Sequence, residues 1–134
     1  FSTPLVEFYL KDDDKNDPLL TKRRLRLMGY DLNKEIEPLE QMAHDVNYKL
    51  RKIFKQIGLT LVDFKLEFGY DSKGTLLLAD ELSPDGMRLW KEGTQESMDK
   101  DLFRKGNGDI VKAYNQILDS LNKLVLSKNN DCSD

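Results

Sequence analysis

Cysteine and histidine each occur once in the 134 residues, and several chemistries drop out with them. Cys132 has no partner for a disulfide within the chain, which fits a reducing, cytoplasmic setting. His44 is the sole histidine and follows a helical pattern beside Asp45, so it reads as a plain helix residue. Neither a zinc site nor a Ser-His-Asp or Cys-His relay has the residues it needs. No apolar run approaches the roughly 20 residues that cross a bilayer, so no membrane role is expected. Positive charge is not in surplus either. Twenty-one Lys and Arg face 24 Asp and Glu, a net charge of -3, which argues against general affinity for nucleic acid. The one basic cluster, Lys22-Arg23-Arg24-Leu25-Arg26, is expected to be a solvated loop. No repeat or low-complexity linker interrupts the chain. It opens at Phe1 without a charged leader and apolar core, and reads as an internal start.

What is present suits a charge-rich globular domain: 39% hydrophobic and 34% charged residues, in a length that suffices for one domain with a real core. Residues 5–10 alternate and predict a strand, followed by an acid-rich loop over 11–18. Residues 19–35 are polar and predict a loop with short helical turns. Ile36, Leu39, Ala43, Val46, Leu50, Ile53 and Ile57 recur at spacings of three and four, predicting an amphipathic helix. Pro38 belongs in its first turn or at a kink, and Gly58 at its C-terminal end. A hairpin is expected over 59–82 with Tyr70–Gly74 at its tip. Asn107 or Asp109 would cap a last helix, whose stripe is Ile110, Tyr114, Ile117, Leu121 and Leu124. Residues 127–134 read as a disordered tail. The fold class is therefore α+β, a central antiparallel hairpin or sheet packed by two long amphipathic helices.

The densest information lies in residues 59–90. Asp63, Lys65 and Glu67 alternate with Phe64, Leu66 and Phe68, so one continuous strand would present three charges on one face. On that strand alone, a half-exposed amphipathic surface is the ordinary reading. Leu76-Leu77-Leu78-Ala79, apolar on both faces, predicts a buried strand. Asp80-Glu81 then stand where it emerges, followed by a Ser83-Pro84-Asp85-Gly86 turn and Arg88. Carboxylates hold a hard cation such as Mg²⁺, and lysine and arginine hold phosphate. These residue types suit nucleotide chemistry.

VDFKLEFG at 62–69 and ADELSPDGMRLW at 79–90 resemble the SAICAR synthetase family of purine biosynthesis. TPLVEFYLKDDDKNDP at 3–18 and MDKDLFRK at 98–105 extend the likeness over nearly the whole chain. The resemblance implies an ATP-dependent ligase that joins the carboxylate of the imidazole ribonucleotide CAIR to the amine of L-aspartate. It also implies that residues 1–126 are the C-terminal portion of that fold, without the family's N-terminal region and inactive alone. Through it, Glu67 and Asp80 become the expected Mg²⁺ ligands, and Lys65 with them the ATP contacts. Asp63 and Lys65 become the expected catalytic residues. Lys11, Asp17, Asp63, Asp85, Arg88 and Arg104 become the expected substrate contacts, and a homo-oligomer, a dimer first, the expected assembly. Lys91 departs from the family, which commonly carries an acid there. Two other classes use similar residues: a non-catalytic nucleotide-binding module, and a kinase-like phosphotransferase with an acid-Lys strand before a metal-binding Asp.

Overall fold

The computed structural model describes residues 3–99 and 109–130. The chain divides into two compact units, Phe1–Tyr48 and Lys49–Asp134, rather than forming one. In the first unit, β1 (Phe8–Tyr9) pairs antiparallel with β2 (Leu19–Leu20), with Phe8 opposite Leu20. The expected strand over 5–10 is thus reduced to two residues. The acid-rich connection is not merely solvated, because its carboxylates build the turn. Asp12 accepts from the Lys15 backbone N–H and pairs with Lys15 Nζ at 2.6 Å, while Asp17 accepts the Asp12 N–H at 2.8 Å. Asn16 and Asp17 adopt left-handed φ values of 58° and 44°, which short polar side chains tolerate.

The basic cluster is a helix and not a loop. Thr21 accepts the Arg24 N–H and caps α1 (Lys22–Leu27), whose Leu25 is buried. One π-helical turn, Leu32–Ile36, is capped by Asp31 and leads into α2 (Glu37–Gln56). Pro38 stands in the first turn of α2, where its missing N–H has no partner to lose. Lys22 pairs with Glu40 at 2.8 Å.

Gly58, at φ +73°, ends α2 as expected, its N–H donating to the Lys55 carbonyl. The second unit continues with β3 (Leu59–Phe64), β4 (Glu67–Tyr70), β5 (Leu76–Ala79), β6 (Met87–Lys91) and α3 (Ile110–Asn130). The expected single hairpin over 59–82 is resolved differently. β4 and β5 do form a hairpin, but β3 leaves it and pairs antiparallel with β6. The α+β class stands; the central sheet is a set of two-stranded ladders. β5 is not buried: Leu77 and Leu78 are 48% and 44% exposed.

The core of this unit is built on the β3–β6 ladder. Leu59 and Leu61 alternate inward on β3, and Met87 and Leu89 on β6, as period-2 geometry requires. Phe54 from the end of α2, Met98, and Ala113 and Ile117 from α3 close over them. Of the expected stripes, Ile117 is in this core and Leu50, Ile57 and Leu121 pack against it, whereas Phe54 and Ala113 lie beside the stripes and Ile53 is exposed. Asp109 caps α3 by accepting the Val111 and Lys112 N–H groups, and the alternative cap Asn107 lies outside the described residues. The helix runs through Asn130, past the expected start of the tail at 127, and residues 131–134 lie outside the described part.

Tyr114 on α3 has a buried hydroxyl without a hydrogen-bond partner among the described residues. Burial raises its phenol above the ordinary value of 10.0, and the Asp85 and Asp99 carboxylates push the same way. The protonated phenol is thus favoured by the fold. As pH rises past 10.0 the unfolded chain ionises first, so this part of the stability falls as pH climbs toward the folded value. Tyr114→Phe removes a hydroxyl that costs desolvation and gains no bond. Urea unfolding is expected to show the Tyr114→Phe protein at least as stable as the parent near neutrality, with a smaller loss of stability above pH 10.0. A clear destabilisation at neutral pH would show that the hydroxyl is satisfied.

Candidate functional site

The break between β3 and β4 organises the charged residues. Phe64 pairs with Met87, and the next N–H, that of Lys65, donates to the Gly86 carbonyl at 2.9 Å. The chain then departs from β6, and Glu67 opens β4 opposite Ala79. The alternation Asp63-Lys65-Glu67 therefore does not run along one strand. It crosses from one ladder to another, and the expected shared face is replaced by a junction.

At that junction the charges are paired with one another. Asp63 stands opposite Arg88 on the ladder, and their side chains meet at 3.3 Å. A bulge makes this pairing possible. Leu61 faces Leu89 and Asp63 faces Arg88, so Val62 is an extra residue on β3. Without it, Asp63 would stand opposite Met87, and the acid and the guanidinium would be out of step. Lys65 Nζ lies 2.7 Å from Glu67 Oε1. The Asp63–Arg88 pair and Lys65 are about half exposed, so the Asp63–Arg88 pair contributes on the order of 0–1 kcal/mol, while Glu67 is half-buried.

Asp80 follows the last residue of β5 and adopts φ 63°. The β4–β5 register places Ala79 opposite Glu67, so plain alternation would bring Glu81, not Asp80, across from Lys65. The left-handed conformation ends that alternation at Asp80. The side chain is exposed and does not enter the core. Asp80 follows Ala79, the partner of Glu67, just past the end of the ladder, where its left-handed φ breaks the pleat. Among the described residues no cluster of three or more His, Cys, Asp or Glu side chains could hold a metal ion. Mg²⁺ asks a protein for only one or two carboxylates and completes its shell with water and substrate phosphates.

Asp85 sits in the short 3₁₀ turn Pro84–Gly86, whose carbonyl receives Lys65, and this links the turn to the junction. Lys11 pairs with Asp13 at 3.0 Å and belongs, with Asp17, to the first unit. Arg104 lies outside the described residues. Lys91 pairs with Glu96 in the turn after β6.

One residue escaped the sequence reading. Asp99 is 1% exposed and accepts the Leu89 N–H at 2.7 Å. The only signal was an acid directly after the apolar Met98, inside the segment noted for Arg104.

The SAICAR synthetase family model matches residues 1–121. The chain belongs to the SAICAR synthetase family. It is similar to the phosphoribosylaminoimidazole-succinocarboxamide synthase of Staphylococcus epidermidis, at 44% identity over 92% of this chain and 53% of that protein. The Cyanothece sp. enzyme of the same name is 51% identical over 86% of this chain and 49% of its own length. A solved SAICAR synthetase from Pyrococcus horikoshii superimposes with a TM-score of 0.83 at 40% identity, over 92% of this chain and 53% of that one. A SAICAR synthetase in complex with ADP gives 0.82 at 41% identity, over 90% of this chain and 52% of that one. The chain thus spans about half the length of the relatives it matches. No described helix is long and apolar enough to cross a membrane.

Proposed function

We propose that this chain supplies part of an ATP-dependent ligase that joins CAIR and L-aspartate to form SAICAR. A carboxylate is a poor electrophile. Transfer of the γ-phosphoryl group of ATP to the CAIR carboxylate gives an acyl phosphate and ADP. The aspartate amine then attacks the acyl carbon, phosphate leaves, and the amine's proton passes to solvent or a nearby base. Such a reaction asks the protein for placement and charge more than for covalent chemistry.

The observation that carries this reading is the junction itself. The two family motifs meet there, through the Asp63–Arg88 pair and the Lys65 to Gly86 hydrogen bond. In the proposed reaction, Glu67 and Asp80 hold Mg²⁺, which supplies charge neutralisation to the ATP phosphates when bound. Lys65, itself about half exposed, leaves Glu67 for a phosphate. Arg88 takes a substrate phosphate or carboxylate, which a guanidinium grips in bidentate fashion. Asp63, already beside Arg88, places the imidazole carboxylate or the incoming amine. Asp85 orients the Pro84–Gly86 turn or the substrate. Lys11, Asp17 and Arg104 are further substrate contacts in this reading, the protein works in the cytoplasm, and it assembles as a homodimer.

The test is direct. The complete translated product, given CAIR, ATP, Mg²⁺ and L-aspartate, is expected to form SAICAR with one ADP released per product. ATP breakdown without a new C–N bond, or no reaction with any order of addition, would overturn the proposal.

A further inference from the structure

We propose that Asp99 is a positioning residue for Arg88, acting through the backbone of Leu89; its effect on turnover rests on the ligase reading above. Beyond β6, on the edge that β3 does not use, the chain returns as residues 96–99. The Lys91 N–H donates to the Glu96 carbonyl, Trp90 bridges Ser97, and the Met98 N–H donates to the Leu89 carbonyl at 2.7 Å. Continuing that antiparallel register, the Leu89 N–H would seek the carbonyl of Met98, its partner residue. The Asp99 carboxylate takes it instead, at 2.7 Å and in full burial.

An ionised acceptor on a buried N–H is stronger than a carbonyl. It stands at the one step of β6 where the other edge is irregular, because the bulge at Val62 falls between the pairs of Leu89 and Arg88. A bulge disrupts the ladder locally and increases twist, so β6 needs fixing from its free edge at this step. Asp99 supplies that fixing one residue from Arg88. Leu89 itself is 0% exposed, so its side chain and both backbone groups are held while Arg88 projects to the exposed face opposite Asp63.

Asp99→Ala and Asp99→Asn are compared by amide hydrogen exchange and by the Arg88 Nε–H resonance, with Asp63→Ala as the reference for loss of the Asp63 pair. Asp99→Ala is expected to speed exchange at the Leu89 amide about tenfold and to move the Arg88 signal toward that reference. The isosteric Asp99→Asn, whose neutral amide oxygen accepts more weakly than a carboxylate, recovers only part of both. In the complete product, Asp99→Ala should raise KM for the ribonucleotide about tenfold while kcat changes much less. In an Arg88→Ala background it should add nothing further, since coupled residues are not additive.

A folded Asp99→Ala protein with unchanged Leu89 exchange and an unmoved Arg88 signal would overturn the proposal. So would full additivity with Arg88→Ala. If Asp99→Ala does not fold, Asp99→Asn decides alone: a weakened Leu89 hydrogen bond with a shifted Arg88 signal supports the role, and no shift refutes it. If the parent protein forms no SAICAR, the ligase reading fails while the resonance and exchange measurements still judge the anchor.

Discussion

Asp80→Asn is expected to lower SAICAR formation by the complete protein about a hundredfold or more, without loss of folded protein. A ligand that holds Mg²⁺ on transferring phosphates contributes several kcal/mol of charge stabilisation in the transition state, and each 1.36 kcal/mol is about tenfold in rate. The choice of asparagine matters because Asp80 adopts φ 63°. Asparagine visits that region nearly as readily as aspartate, so the substitution changes charge and leaves the backbone alone. Alanine there would add strain of about 1 kcal/mol or more and confuse the two effects. Asp80 is exposed, so its removal should leave the unfolding midpoint within the small range of surface changes. Turnover close to that of the parent would remove Asp80 from the metal site. A matched Glu67→Gln protein should behave alike if both carboxylates serve one ion, with the added loss of the Lys65 pair.

The residues of this site were more legible than their arrangement. The resemblance carried by VDFKLEFG and ADELSPDGMRLW brings out Asp63, Lys65, Glu67, Asp80 and Arg88, which alternation alone would leave as an ordinary half-exposed surface. Alternation could not show where the strand breaks. Lys65 and Leu66 continue the pattern of their neighbours, and the break is set by a non-local bond, Lys65 N–H to the Gly86 carbonyl. For the same reason alternation joins β3 and β4 into one arm of a hairpin with β5, although the partner of β3 is β6. Hairpins are the default for adjacent strands, and only side-chain packing across Leu61 and Leu89 overrides it.

Burial was more legible for the helices than for β5. The stripes place Ile117 in the core and Leu50, Ile57 and Leu121 against it, while Phe54 and Ala113, which are also buried there, lie beside the stripes and Ile53 is 37% exposed. Leu76–Ala79 is apolar on both faces, so the pattern gives no direction, and the strand is in fact open to solvent in this chain. The acid-rich segment 11–18 failed in the opposite sense. Its carboxylates were read as solvated, yet Asp12 and Asp17 are the hydrogen-bond acceptors that shape the turn. Asp99 is the same lesson in a buried setting: composition marks an acid as surface unless a specific donor, here the Leu89 N–H, is known.

Residues 1–134 alone are expected to form no SAICAR and to bind Mg-ATP only weakly, with Kd in the millimolar range by calorimetry (about 4 kcal/mol of binding). Phosphate contacts are available in Lys65, Glu67 and Asp80, but affinity for a nucleotide normally needs an apolar slot that buries the base. Such sites enclose roughly 300–1,000 Å³. The cavity beside β1 and β2, lined by Val6, Phe8, Leu19 and Leu20, holds about 180 Å³, and it belongs to the unit without the charged junction. Near the junction, Leu77, Leu78 and Leu82 are 44–48% exposed, a surface on which a base could rest but by which it is not enclosed. The phosphates must also compete with partners already in place, since Lys65 holds Glu67 and Arg88 holds Asp63. The exposed Asp63–Arg88 pair costs little to open, yet the gain is of the same small size in water. Magnesium should improve binding, because the ion offsets the repulsion between the phosphates and the Glu67 and Asp80 carboxylates. Micromolar binding with a stoichiometry of one would show that these residues enclose a complete nucleotide site, and the division of the site between this chain and the remaining length of its relatives would then be wrong.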